Sequence, residues 1–482
     1  MGQAAMSPAR AAANSTRYLL RNPFNPFTYT DVGRNTAAAA ELLERTTRRY
    51  RKPEFGLKDT IVKGQRVAVT EETVWHKPFC NLVHFRKAFP GGVSANEPRL
   101  LMVAPLSGHY ATLLRGTVEA MLPYCDVYIT DWQDARLVSM REGNFDLDDY
   151  IDYVIEMIEL FEGDVHVMGV CQPAVPVLSA VALMETRENP HVPRSLILKG
   201  GPIDTRVNPT AVNNLAEERG TNWFRRTVIT TVPYPNRGHG RLVYPGFLQL
   251  TGFMAMNIDR HVNAHKELFV NLVRGDGDSV EKHKEFYDEY LAVMDLSAEY
   301  YLQTVDQVFV KHLLPKGEMF HRKQLIDLTA IRNVSIMTIE GEKDDITGLG
   351  QCEAALHLCS NLPRSKKRHY TQPGVGHYGI FNGSRYRHEI VPRVVAFMSD
   401  NDVRGGSLKW LANRLSAQAV PAPPLALPAQ SRGTIIEATE EGPPVRLSTI
   451  PAKPSLKPRK SRSLPRLSAM KGRTPGSRYK GR

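Results

Sequence analysis

The sequence predicts an α/β fold built on a mostly parallel sheet, and three observations carry that reading. From Arg99 onward, short apolar runs alternate with helical stretches; between Ile203 and Ile331 a long insertion richer in aromatic residues and methionine interrupts them; after it the alternation resumes. Such alternation implies βαβ units, whose crossover helices cover the faces of a parallel sheet.

Taken in order, residues 31–51 are dense in strong helix formers behind Asp31, a candidate cap, and predict an amphipathic helix leading into the body. Residues 60–90 read as strand-like and irregular. Strands are then predicted at 100–106, 126–132, 164–170, 195–201, 333–341 and 368–373, with helices behind the earlier ones. Inside the insertion, Ser279 to Phe309 has helical character with Asp278 or Ser279 as N-cap, and residues 384–400 predict a closing helix despite Pro392. The resulting division is residues 1–98, an N-terminal helix with an irregular and strand-like lead-in; residues 99–415, an α/β domain with a cap insertion at about 205–330; and residues 416–482, a Pro/Ser/Lys/Arg-rich tail. That tail has too few large apolar groups to offset the entropy of ordering it, so disorder is expected there.

Of the 482 residues, 42% are hydrophobic and 23% charged, which excludes a wholly disordered chain, a collagen-like repeat and a pure coiled coil. The formal charge of +12 is local: residues 451–482 hold five lysines, six arginines and no acid, and residues 1–400 are neutral overall. A basic cluster of this kind gives weak, salt-sensitive contact with nucleic acid or acidic partners, although no aromatic interleaving accompanies it. The N-terminal residues lack the apolar segment of a secretory signal, and the longest core-like apolar stretch, Ala174 to Met184, falls short of a membrane span. Five cysteines without metal-ligand spacing fit a reducing cytosol. A cytoplasmic protein with no transmembrane segment is the expectation.

The chemistry-bearing residues follow the strands. A strand ending in Val170 runs through Gly169-Val170-Cys171-Gln172-Pro173 into an apolar helix, which puts Cys171 where α/β-hydrolases carry a nucleophile on a strained strand-to-helix turn. Pro173 stands where the usual pattern has a second glycine; in a first helical turn its missing N–H has no partner to lose. The Gln172 N–H, at the positive end of that helix, is a candidate oxyanion donor and lowers the thiol pKa from about 8.5. The second donor is expected from the loop after the first parallel strand, as the N–H of Leu106 or Ser107. Among acids, Asp344 ranks first because Asp-x-Ile is common in the acid loop of this fold, with Asp345 and then Asp204 as rivals. His377, set among glycines in G-V-G-H-Y-G, is the candidate base, and the chain order nucleophile, acid, histidine matches that fold. His109 reads as loop support and His166 as a core residue. His261 and His265 have metal-compatible spacing without the HExxH glutamate, and the R-G-D-G-D-S loop lacks an EF-hand ligand series, so no metal site is expected.

Longer segments narrow this further. G-V-C-Q-P-A-V-P at 169–176, G-G-P-I-D-T-R at 200–206, F-Y-D-E-Y-L-A-V-M-D at 286–295, G-E-K-D-D-I at 341–346 and G-V-G-H-Y-G-I-F-N-G at 374–383 resemble the intracellular polyhydroxybutyrate depolymerases over most of residues 20–400. The resemblance implies an α/β-hydrolase with a cysteine nucleophile, matched by Cys171, with Asp344 and His377 as acid and base. It implies cleavage of stored poly(3-hydroxybutyrate) at the granule surface, with no cofactor beyond coenzyme A as an alternative acyl acceptor to water. The aromatic stretch Tyr244 to Met256 could dock on such a surface or simply fill the cap core. Competing functions are a polyhydroxyalkanoate synthase-like acyltransferase, which also runs through a cysteine thioester, and a non-catalytic granule tether.

Overall fold

In a computed structural model, residues 7–48, 50–89, 97–250, 268–269, 272–273 and 287–402 are described. The strands of the main sheet are β1 (Asp59–Val62), β2 (Gln65–Lys77), β3 (Cys80–Ala88), β4 (Arg99–Val103), β5 (Asp126–Trp132), β6 (His166–Val170), β7 (Ser195–Lys199), β8 (Ser335–Gly341) and β9 (Lys367–Gln372). They lie side by side in the order β1-β2-β3-β5-β4-β6-β7-β8-β9. The pairs from β1 to β5 across β2 and β3 are antiparallel, and every pair from β5 through β9 is parallel. An antiparallel lead-in, an exchange of β4 and β5, and outward growth through β6 to β9 are the topology of the α/β-hydrolase fold, as the sequence predicts.

β6, β7 and β8 are buried along their whole length, which is why they read as largely apolar runs with a few buried polar residues. Behind β6, helix Ala174–Thr186 is buried from Ala174 through Met184; a helix apolar all round belongs inside the layer, not on its surface. Helix Leu147–Glu159 packs beside it and begins with a capping box in which Asp146 and Asp149 satisfy each other's backbone N–H.

The lead-in is more regular than the sequence suggests. Residues 59–88 form three paired strands with one irregularity between Thr73 and Trp75. Before them stand two helices, the Ala-rich Ser7–Arg21, which the sequence reading did not predict, and Asp31–Thr47, packed together as a hairpin. The cap of the second is Thr30, whose side chain accepts from the Gly33 N–H; Asp31 is already inside the first turn. Elsewhere β5 has the predicted bounds and β9 is displaced by one residue, while β4, β6, β7 and β8 are each two residues shorter than the predicted runs.

The continuous helix expected over Ser279 to Phe309 is a correction. The chain is helical at residues 287–290, then opens: Met294 N–H donates to the Gly108 carbonyl at 2.7 Å and Val293 bridges His109. Helix resumes only at Ala298–Thr304 and widens to a π-helix at Val305–Val310. Tertiary pairing with the 106–109 loop overrides helical propensity here. Another π-turn, Tyr386–Ile390, precedes the closing helix Val391–Asn401 and leaves Pro392 in a first turn, where it costs no hydrogen bond. Asp278 and Ser279, His261 and His265, the 274–279 loop, residues 251–256 and the tail from residue 403 lie outside the described residues. No helix of the described residues is long and apolar enough to cross a membrane.

Two buried polar groups tie the sheet to its surroundings. His166 bonds Ser195 Oγ at 2.8 Å through Nδ1 and Asp402 Oδ2 at 3.1 Å through Nε2, a satisfied core histidine as expected. Lys199, at the end of β7, is wholly buried, with Nζ 3.2 Å from the Tyr386 hydroxyl and 4.4 Å from that ring's centre; burial pushes its pKa down to about 7. Unfolded, the same lysine titrates near 10.5, so between those values the unfolded chain binds more protons and stability from this residue rises with pH. Lys199→Met is therefore expected to stabilise the protein at pH 7 and to flatten its stability between pH 7 and 10, measured by urea unfolding at both values.

Candidate active site

The end of β6 and the start of helix Ala174–Thr186 meet in a bend that only tight packing permits. Cys171 sits at its tip with φ +68°, a left-handed conformation that costs a non-glycine residue of order 1–3 kcal/mol and persists where its surroundings impose it. Its N–H donates to the Lys199 carbonyl at 2.7 Å, locking the bend to β7, and the Ala174 N–H returns to the Cys171 carbonyl at 3.0 Å. Gly201 leaves room for the close approach: a Cβ there would stand 2.1 Å from the Ala174 Cβ and 3.4 Å from the Cys171 carbonyl oxygen. Pro173 adopts helical angles immediately before the helix.

Cys171 is partly exposed, whereas Cys80, Cys125, Cys352 and Cys359 are buried and free. Burial raises the thiols of those four, Cys359 to about 12, which makes them inert small hydrophobes.

The acid and the histidine arrive on the loops after β8 and β9. His377 Nδ1 lies 2.7 Å from Asp344 Oδ2, and both side chains are buried. The other carboxylate oxygen of Asp344 accepts from the N–H groups of Ile346 and Thr347 at 2.9 and 2.8 Å, so its position is fixed by its own loop. Of the rival acids, Asp345 is exposed, and Asp204 is engaged with the Arg206 guanidinium at 2.8 and 2.7 Å. Burial alone would push the His377 imidazole down; the charges of Cys171 and Asp344, with hydrogen bonding to both, outweigh it and hold the ring well above the ordinary histidine value. The structure thus brings Cys171, His377 and Asp344 into one interacting group and leaves the other two acids outside it.

At the expected donors, the Gln172, Leu106 and Ser107 N–H groups have no acceptor among the described residues. The 106–109 loop is pinned from the cap side by the Gly108–Met294 bond and by His109, whose Nε2 is 3.1 Å from the Tyr290 carbonyl. Burial pushes His109 down to about 4, so this ring supports the loop as a neutral group.

Sequence reasoning missed the aromatic wall. Tyr150 and Tyr300, fully buried, and Tyr378, half-buried, are close enough to Cys171 for its charge to raise their phenols further after burial has done most of the work. Phe381 presents an edge to His377 at 5.6 Å between ring centres. It also missed Gly200, at φ +53°, where a Cβ would lie 2.6 Å from Ile380 Cδ1 and 3.1 Å from His377 Cε1. The paired glycines after an apolar strand were the available signal. Tyr244, expected to dock or to fill the cap, fills it, stacked on Tyr301 at 3.9 Å, while Phe247 is exposed.

Among the described residues Glu340, Glu353 and His369 have ligand atoms within 4.8 Å of one another. Glu340 already accepts three backbone N–H groups, from Gly350, Cys352 and Glu353, and His369 is bonded to Thr338 and Thr371, so the cluster is structural.

Gly200→Ala is expected to displace the His377 ring and lengthen its bond to Asp344 while the protein still folds. The check is the downfield proton resonance of the Nδ1–H in the NMR spectrum, which should shift or vanish in the variant.

Residues 200–402 match the family model described as PHB de-polymerase C-terminus. No curated protein matches the chain. Solved structures similar to it include a protein assigned as a lipase (lip1) from Acinetobacter baumannii AYE, 13% identical, covering 69% of this chain and 93% of its own with a TM-score of 0.37. A protein assigned as a non-heme bromoperoxidase, BpoC, from Mycobacterium tuberculosis H37Rv is 12% identical over 71% and 98% at a TM-score of 0.39. E-2-(acetamidomethylene)succinate hydrolase is 12% identical over 68% and 99% at 0.38. The fold itself is read from the strand order above. The match to the PHB depolymerase C-terminal domain over residues 200–402 supports ester hydrolysis as the chemistry of this chain.

Proposed function

We propose that the protein cleaves the ester bonds of stored poly(3-hydroxybutyrate) at the granule surface, with Cys171 as nucleophile, His377 as base and acid, and Asp344 orienting and stabilising the imidazolium. The observation that carries this reading is the strained Cys171 beside a buried His377 whose far nitrogen is held 2.7 Å from Asp344. The matched domain supports the polyester as substrate.

In this mechanism the Cys171 proton passes to His377, and the sulfur attacks the ester carbonyl. As the C–S bond forms, the carbonyl π pair moves to oxygen, which the N–H groups of Gln172 and of Leu106 or Ser107 hold. Collapse breaks the C–O bond; the departing alkoxide takes the proton from His377 and leaves as a 3-hydroxyl chain end. Water then gives a proton to His377 while its oxygen attacks the thioester. A second collapse returns the electron pair to sulfur, and a 3-hydroxybutyrate unit or oligomer leaves as the acid. A thiol such as coenzyme A in place of water would give an acyl thioester by the same steps. No metal or redox cofactor is called on.

Cys171→Ala is expected to abolish turnover of amorphous poly(3-hydroxybutyrate) while leaving thermal unfolding nearly unchanged; undiminished release of 3-hydroxybutyrate would exclude the nucleophile. Asp344→Asn carries a pH signature as well. With the carboxylate gone the imidazolium loses its proton at lower pH, so the alkaline limb of kcat/KM should move to lower pH and activity should fall by about 10²-fold or more. An unmoved limb would mean that Asp344 does not face the working histidine.

A further inference from the structure

The two N-terminal helices meet in a turn that is built inside out. Across residues 18–32, Tyr18, Leu19, Phe24, Phe27, Tyr29 and Val32 are 68%, 64%, 93%, 64%, 66% and 73% exposed. A solvent-facing turn ordinarily shows its polar side chains and hides its rings. Here the polar side chains fold back on the backbone instead. Asn22 Oδ1 accepts from the Phe24 N–H at 3.0 Å, Asn25 Oδ1 from the Phe27 N–H at 3.1 Å, and Asn25 Nδ2 donates to the Leu19 carbonyl at 2.9 Å. Thr28 Oγ1 donates to the Asn22 carbonyl at 2.8 Å, Thr30 Oγ1 to that of Phe27 at 2.8 Å, and the Tyr29 hydroxyl to that of Pro23 at 3.1 Å. Pro23 and Pro26 stiffen the turn further, so its rings are presented by a backbone already held in place.

Charge decides what such a surface fits. From Asn22 through Thr30 there is no Asp, Glu, Lys, Arg or His. The nearest charges are spent within the hairpin: Arg21 on Glu41, and Arg34 on Asp31 at 2.5 Å. A charged protein surface or a phospholipid headgroup layer calls for ionic partners at the rim; a neutral polyester, apolar in its methyl and methylene groups, calls for none. The hairpin is also tied to the body by ion pairs. Arg45 and Arg48, in and just after the last turn of helix Asp31–Thr47, both hold Asp288 Oδ1 at 2.5 Å. Two residues on, Tyr290 meets Tyr378, the neighbour of His377, edge to face at 6.4 Å.

Resting on the function proposed above, we propose that the turn between these helices is the docking surface by which the protein adsorbs to the neutral, amorphous polyester, with Phe24 and Phe27 as the inserting rings. The test uses the full chain carrying Cys171→Ala, so that the surface is not consumed, and measures its depletion from solution by amorphous poly(3-hydroxybutyrate) particles. Phe24→Ser with Phe27→Ser should weaken adsorption by about tenfold or more. In the catalytically intact background, the same double change should leave hydrolysis of a soluble p-nitrophenyl butyrate unaltered. Phe24→Ser alone, at a side chain 93% exposed, guards against misfolding and should show a smaller loss in the same direction.

Equal adsorption with and without the rings overturns the docking surface and leaves the proposed function standing. If the intact protein neither adsorbs to nor degrades the particles while still cleaving the soluble ester, the polyester reading and the docking surface fall together. A second copy as the occupant would show in sedimentation as a dimer that the double variant loses, and a lipid surface as ring-dependent binding to phosphatidylcholine vesicles. Either result with unchanged particle adsorption also overturns the proposal.

Discussion

Close packing at the end of β7 is the constraint on which the rest of the site depends. Gly200 and Gly201 follow Lys199, and the space left by their missing side chains is filled on one side by Ala174 and the Cys171 carbonyl and on the other by the His377 ring. The positive φ of Cys171 is held by this crowding and by the bond from its N–H to the Lys199 carbonyl. Strain of this kind survives where neighbouring elements over-determine it, and here a strand, a helix and the histidine loop all do so. One dipeptide therefore packs against both the Cys171 bend and the His377 ring.

From that constraint the electrostatics follow. Asp344 is fixed by two N–H groups of its own loop, so its free oxygen has one direction left, toward His377. A buried imidazole between a carboxylate and a thiol group keeps its proton more readily than a free one. The aromatic wall of Tyr150, Tyr300 and Tyr378 lowers the local polarity and strengthens every charge interaction within it. The four other cysteines are buried without cationic partners or with too few, and burial pushes their thiols up.

The parallel strands were legible because strands buried on both faces are largely apolar, and each candidate site residue could be counted off from the strand before it. Asp344 was separable from Asp345 only by a motif preference; the structure separates them by which carboxylate the loop N–H groups turn inward. What stayed hidden depends on contacts distant in sequence. The break at Leu291 to Ser297 comes from pairing with the 106–109 loop, and helix Ser7–Arg21 is an Ala-rich segment stabilised by the helix it packs against. The lead-in strands looked irregular because their outer faces are exposed and carry Glu71, Glu72 and Arg86 among the apolar residues. Gly200 could not be assigned a role until the histidine that fills its space was in view.

In the proposed mechanism the sulfur of Cys171 forms the covalent bond to the substrate. Mixing the protein with amorphous poly(3-hydroxybutyrate), quenching in acid within the first turnovers and mapping the modified peptide by mass spectrometry tests that directly. A 3-hydroxybutyryl or oligomeric acyl group on Cys171, absent in the Cys171→Ala protein, is the predicted result. An acyl group on any other residue, or turnover of the polymer by the alanine variant, would contradict it.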